Sequence, residues 1–201
     1  NRIARLNADG TIDASFTIGT GANGAINAVA IDNTPGANAG TIIIAGGFTT
    51  FNGVPRAGVA RLLASGAVET ATFVGLNPGV TGGAVNSLAI QSNGAIVIAG
   101  GFSQVNGVAH AGIARLNPDG STDIGFNPAA NNTVYSVLID QSATTNNGAI
   151  LIAGDFDTVT DSLGTVSVGR IARLAAADGS IDRNFATDRK STRLNSSHVA
   201  L

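Results

Sequence analysis

Apolar residues gather in short runs that return at a nearly fixed interval. Thr41-Ile42-Ile43-Ile44, Ala95-Ile96-Val97-Ile98 and Ala149-Ile150-Leu151-Ile152 are near-continuous apolar stretches bounded by turn residues, the pattern of a strand covered on both faces. Each is preceded by a second such run: Ala28-Val29-Ala30-Ile31, Ser87-Leu88-Ala89-Ile90 or Ser136-Val137-Leu138-Ile139. Each is followed by an alternating one: Val59-Ala60-Arg61-Leu62, Ile113-Ala114-Arg115-Leu116 or Ile171-Ala172-Arg173-Leu174, and the same signature opens the chain as Ile3-Ala4-Arg5-Leu6. A fourth run ends on Phe16, Phe73, Phe126 or Phe185. No stretch keeps a 3.6-residue period long enough for a helix. The pattern predicts an all-β chain of antiparallel strands, four to a unit.

The units are repeats. Phe48, Phe102 and Phe156 close the strings Ile-Ala-Gly-Gly-Phe, Ile-Ala-Gly-Gly-Phe and Ile-Ala-Gly-Asp-Phe and lie 54 residues apart. Four strands in that period match one blade of a β-propeller. The chain divides into a half-blade with linker (1–25), three blades (26–80, 81–130 and 131–187) and a tail (188–201). Propellers close with roughly 4–8 blades, so about three and a half blades predict an open arc with exposed edge strands, unless further repeats of the parent chain complete it.

The turn between the third and fourth strands carries the clearest local chemistry. In Asn117-Pro118-Asp119-Gly120, Pro fits φ near −65° and Gly fits the positive φ of a type I turn with a G1 bulge. That register sets Leu116 opposite Thr122 and Arg115 opposite Asp123. It likewise sets Arg5 opposite Asp13, Arg61 opposite Glu69 and, with one inserted residue, Arg173 opposite Asp182. A charge pair that recurs with the repeat reads as a structural brace. Seven of the eight Phe residues are locked to the repeat and Phe51 is not, so the aromatics read as core and leave no platform for sugars or bases.

The strings IARLNADGTIDASF, IAGGFSQVNGV and GIARLNPDGSTDIGF resemble the delta-60 repeat, a bacterial β-propeller-like repeat, over nearly all of 1–187. Three places depart from that pattern: Leu63-Ala64-Ser65-Gly66 lacks the Asp before Gly, Asp155 replaces a Gly, and Asn-Gly-Val becomes the longer segment 160–166. The resemblance implies a module of a large bacterial protein, secreted or attached to the cell surface. It implies no catalytic residues. The expected partners are further repeats of the same parent chain and a protein or glycan ligand.

Composition narrows the chemistry. The 201 residues include no Cys, Met or Trp, and 11 basic residues face 13 acidic ones. Thiol chemistry is excluded, the charge balance argues against a nucleic-acid partner, and no apolar run reaches the roughly 18 residues of a membrane span. The only Lys lies in residues 188–198, which read codon by codon like a translated sequencing-library adapter; before it, 8 Arg stand against 12 acids, a net charge of −4. Residues 1–187 hold one His, His110, at the loop position that Arg56 occupies one repeat earlier, which predicts a solvated loop cation. The most unusual polar cluster is Asp155, Asp157 and Asp161. It offers oxygen ligands for calcium, the one cofactor the sequence brings to mind, but lacks the internal Gly and terminal Glu of a calcium loop. The enzymatic alternative is a glycan hydrolase or lyase working through paired carboxylates, with Asp32, Asp140, Asp155, Asp157 and Asp161 as candidates. With no catalytic constellation visible, a non-enzymatic structural or binding module is the expectation.

Overall fold

The computed structural model describes residues 2–73, 76, 78–142 and 145–187; the adapter-like string lies outside them. The first full repeat supplies β1 (Ile26–Ile31), β2 (Ile42–Gly46), β3 (Thr50–Phe51), β4 (Val54–Pro55) and β5 (Val59–Leu62). The second supplies β6 (Val80–Thr81), β7 (Val85–Ile90), β8 (Ile96–Gly100), β9 (Gln104–Val105), β10 (Val108–Ala109) and β11 (Ile113–Leu116). The third supplies β12 (Ala129–Ala130), β13 (Val134–Ile139), β14 (Ile150–Gly154), β15 (Thr158–Asp161), β16 (Gly164–Ser167) and β17 (Ile171–Leu174), and one helical turn follows, α1 (Arg183–Thr187). The chain is all-β, an open arc of small antiparallel sheets. Among the described residues no helix is long and apolar enough to cross a membrane.

Each repeat builds one main sheet, β1-β2-β5, β7-β8-β11 or β13-β14-β17, with the most apolar strand in the middle. Alternation along the middle strand sends side chains to two different cores. Ile42 and Ile44 pack toward the N-terminal half-repeat with Phe16, while Ile43 and Ala45 pack toward the second sheet with Ile96 and Ile98. Val97 and Ala99 in turn meet Ile150 and Ile152 of the third sheet. The cores therefore lie between consecutive sheets, which is why β2 and β8 are buried on both faces.

The main sheets have three strands where four were expected. The fourth survives as one bridge per hairpin: Leu6↔Ile12, Leu62↔Val68, Leu116↔Thr122 and Leu174↔Ile181. The acid that follows ends the strand by capping a turn: Ser15 N donates to Asp13 Oδ1 at 2.8 Å, and Gly125 N to Asp123 Oδ1 at 3.0 Å, an Asx turn that bends the chain away. Asp182 does the same and, by also accepting from Phe185 N at 3.2 Å, caps the helical turn that the periodicity did not predict. Sequence reasoning also missed an outer hairpin in each repeat, β3–β4, β9–β10 and β15–β16. Two of these turn on Asn52-Gly53 and Asn106-Gly107, with φ of 51° and 74°, and 52° and 78°. Two successive left-handed residues make a type I′ turn, for which Asn-Gly is the favoured pair.

Candidate functional site

The repeated Arg is placed against the acid and the Phe of its own hairpin. Arg5 Nε lies 2.8 Å from Asp13 Oδ2, Arg115 Nη2 lies 2.7 Å from Asp123 Oδ2, and Arg173 Nη2 lies 2.6 Å from Asp182 Oδ2. Each guanidinium also covers the Phe of its own hairpin, at 4.9 Å for Arg5 over Phe16, 4.6 Å for Arg61 over Phe73, 4.5 Å for Arg115 over Phe126 and 4.8 Å for Arg173 over Phe185. The second copy differs. Glu69, one methylene longer, folds back to accept from Ala71 N at 2.6 Å and Phe73 N at 2.6 Å, so no direct ion pair joins it to Arg61. Burial opposes ionisation of Glu69, but these donors outweigh it and hold the carboxyl below its ordinary range.

The same Arg reaches across to the next repeat. Arg5 Nη1 donates to Ala64 O at 2.6 Å, Arg61 Nη2 to Pro118 O at 2.6 Å and Arg115 Nη2 to Ala177 O at 2.5 Å. All three acceptors sit in the hairpin turn one repeat onward. Within that turn the glycine, left-handed at φ between 76° and 92°, lies on the preceding Phe. A Cβ on Gly66 would come 3.1 Å from the Phe16 ring, on Gly120 3.1 Å from Phe73, and on Gly179 2.8 Å from Phe126. Arg and Phe of one repeat thus form a socket that receives the Gly turn of the next. The brace lies within a hairpin and also clamps neighbouring repeats, which one sequence period does not reveal.

The inner strands run side by side, β1 against β7 and β7 against β13. Each begins with a bulge at the same place. The bulged residue bonds the next inner strand: Asn27 Nδ2 donates to Val85 O at 2.8 Å and Asn86 Nδ2 to Val134 O at 3.1 Å. In the third repeat Tyr135 stands there and donates to Asp155 Oδ2 at 2.7 Å instead. The far ends of the three strands surround a cavity of about 370 Å³ lined by Ile31, Ile90, Ile139, Gln91, Gln141 and Asp140 among others.

The structure gives each of the three clustered acids its own partner. Asp155 pairs with Arg170 at 2.8 Å, Asp157 accepts from Asn131, and Asp161 pairs with Arg183 at 2.8 Å. Arg183 first, then the backbone donors of Ile181 and Leu163, hold the Asp161 carboxyl down to about 2 against the opposing effect of burial. Among the described residues no group of three or more His or acidic side chains is placed to hold a metal ion. Asp32 is buried and accepts from Thr34, and Asp140 accepts from Ser142 N at 2.8 Å. His110 is corrected: it is 1% exposed rather than solvated. Its loop position faces the hairpin acid of its own repeat, as Arg56 Nη2 does by donating to Glu69 O at 3.2 Å, so burial pushes the imidazole below its ordinary pKa, opposed by the charge of Asp123.

A family model described as a domain of unknown function (DUF5122) beta-propeller matches residues 1–16, 40–71, 91–126 and 145–185, more than half of the chain. No curated protein matches the chain. The four matched segments contain all four clamp arginines and leave out β1, β7 and β13.

Proposed function

We propose, from the premise that the chain belongs to the DUF5122 β-propeller family, that it serves as a non-enzymatic repeat module within a larger bacterial protein, secreted or held at the cell surface, where it builds architecture and binds a protein or glycan. The observation that carries this reading is how the carboxylates are used. All twelve in residues 1–187 accept hydrogen bonds from neighbouring backbone or side-chain donors. Every carboxyl with a resolved shift is moved down, whereas glycoside hydrolysis needs one acid moved up so that it is protonated near neutral pH. The resemblance to the delta-60 repeat supports the surface location. The cavity at the ends of the inner strands, lined by apolar and amide side chains, is the binding position of this reading.

The test is incubation of the full chain with soluble polysaccharides, followed by assay of new reducing ends and by affinity electrophoresis. No turnover is expected. Turnover that disappears in Asp140→Asn would establish the carboxylate enzyme instead.

A further inference from the structure

We propose that the cavity at the ends of the inner strands binds a protein segment in which an aliphatic side chain stands beside a basic one. The proposal rests on the binding reading above and names the ligand class of that site.

The cavity lies where the repeats are unequal. The loop from inner to middle strand has ten residues in the first repeat (32–41) and ten in the third (140–149), but five in the second (91–95). All three loops are closed at the base by a backbone bond of one kind: Asp32 N donates to Thr41 O at 2.9 Å, Gln91 N to Ala95 O at 2.8 Å and Asp140 N to Ala149 O at 2.8 Å. The five extra residues therefore extend two loops beyond the short one between them. Asn33 of the first loop, Ser92 of the second and Asn147 of the third all line the cavity, and the length that the middle loop lacks accounts for its space. Loop insertions that gather on one side of a repeat array are where such molecules hold ligands. The second repeat has a repeat on either side, yet Ile90 is still only half-buried at the cavity. The opening therefore belongs to the interior of the arc.

The lining fits a peptide better than a sugar. Ile31, Ile90 and Ile139 are the last residues of the three inner strands, so each repeat contributes one aliphatic side chain from the same position. Among the described residues no aromatic side chain lines the cavity. A sugar ring finds no aromatic face to stack on, whereas a Leu, Ile or Val side chain is matched by the three isoleucines. Asn33, Gln141 and Asn147 line the cavity as well and are exposed. Each primary amide carries a donor and an acceptor, the pair that a peptide group presents in reverse.

The charge of the cavity selects a cation. Asp140 lines it, and among the described residues no arginine lies within ion-pair distance of this carboxylate. Arg173 acts on it only from further away. The Ser142 hydroxyl and N–H, the latter at 2.8 Å, hold the carboxyl below its ordinary range, so it is ionised at neutral pH. Its counterpart Asp32 is 1% exposed and accepts from Thr34 N at 2.9 Å and Thr34 Oγ1 at 2.6 Å. Among the described residues no Arg or Lys lines the cavity. An acidic segment meets repulsion there, and a basic residue next to the aliphatic one meets an ion partner.

Fluorescence anisotropy on the full 201-residue chain tests this with three fluorescein-labelled, end-capped peptides. They are Gly-Ala-Ile-Lys-Ala-Gly and its forms with Ala in place of Ile or Glu in place of Lys. Saturable binding of the first is expected, weakened about tenfold by either replacement. Asp140→Asn keeps an acceptor for Ser142 N and is expected to erase the difference between the Lys and Glu peptides. Ile31→Ser, at an exposed position, is expected to weaken the first peptide about tenfold, with circular dichroism unchanged. No saturable binding of the first peptide overturns the proposal. So does equal affinity for the Ile and Ala forms, or a preference for Lys over Glu that survives Asp140→Asn. Maltohexaose bound in place of the peptides, and lost in Ile31→Ser, overturns the proposal and leaves the binding-module reading standing. New reducing ends from the polysaccharides overturn that reading as well.

Discussion

A buried imidazole with no hydrogen-bond partner works against folding, and His110 is one: neither ring nitrogen meets a partner among the described residues. Its folded pKa lies below the ordinary 6.5, so the folded chain binds fewer protons than the unfolded one just under that pH. The stability that depends on a neutral ring is complete above about 6.5 and declines as the pH falls toward the folded value. His110→Leu removes both orphaned atoms and is expected to raise stability by about 1 kcal/mol at pH 7, and to flatten the pH dependence just below pH 6.5, read from urea midpoints. Asp161 has the opposite sign. With its carboxyl held near 2 against an ordinary 3.8, its contribution is present above 3.8 and lost as the pH falls through 2. Asp161→Asn is expected to cost about 1–2 kcal/mol at pH 7, and the gap between variant and wild type should narrow at pH 2. Neither role was legible in the sequence. The fold brings Arg183 to Asp161 across 22 positions, and the exchange of Arg for His between repeats concealed that the position points inward.

At the level of the element, the hairpin register was legible because turn chemistry is local: Pro118 and Gly120 dictate which residues face each other. The outer hairpins carried a signal too, in Asn52-Gly53 and Asn106-Gly107, but flanking strands of two residues are too short to alternate. The reach of each Arg into the following turn was not legible, since a period says what recurs and not which neighbour it touches. That reach predicts an uneven mutational series. Arg115 has a side chain 9% exposed and holds an acid and two turn carbonyls, so Arg115→Ala is expected to destabilise by about 3 kcal/mol because it strands buried acceptors. Arg5 is 37% exposed, and Arg5→Ala is expected to cost less than about 1 kcal/mol. Equal shifts in the two urea midpoints would refute the clamp as the source of stability.

For the molecule as a whole, cores between successive sheets make stability a chain of nearest-neighbour terms. The N-terminal half-repeat has one bridge of its own, Leu6↔Ile12, and leans on the first sheet through contacts such as Thr17 N to Ser65 O at 2.8 Å. Hydrogen exchange is therefore expected to be fastest in residues 2–16 and slowest in β8, the middle strand with a sheet on either side. Protection of residues 2–16 equal to that of β8 would mean a single cooperative unit. The open arc followed from the count of repeats, but the angle between sheets did not, because contacts 50 and more residues apart set it.

That angle has a physical gauge in the turn glycine lying on the preceding Phe ring. With hydrogen as the only atom between them, the rims of adjacent sheets approach as closely as backbone and ring permit. Any larger side chain at Gly120 or Gly179 would wedge the outer edges apart while the inner strands stay pinned by Asn27 and Asn86, and one at Gly66 would push the half-repeat away from the first sheet. The curvature of the assembly, and hence how many units complete one revolution, is written in three missing methyl groups.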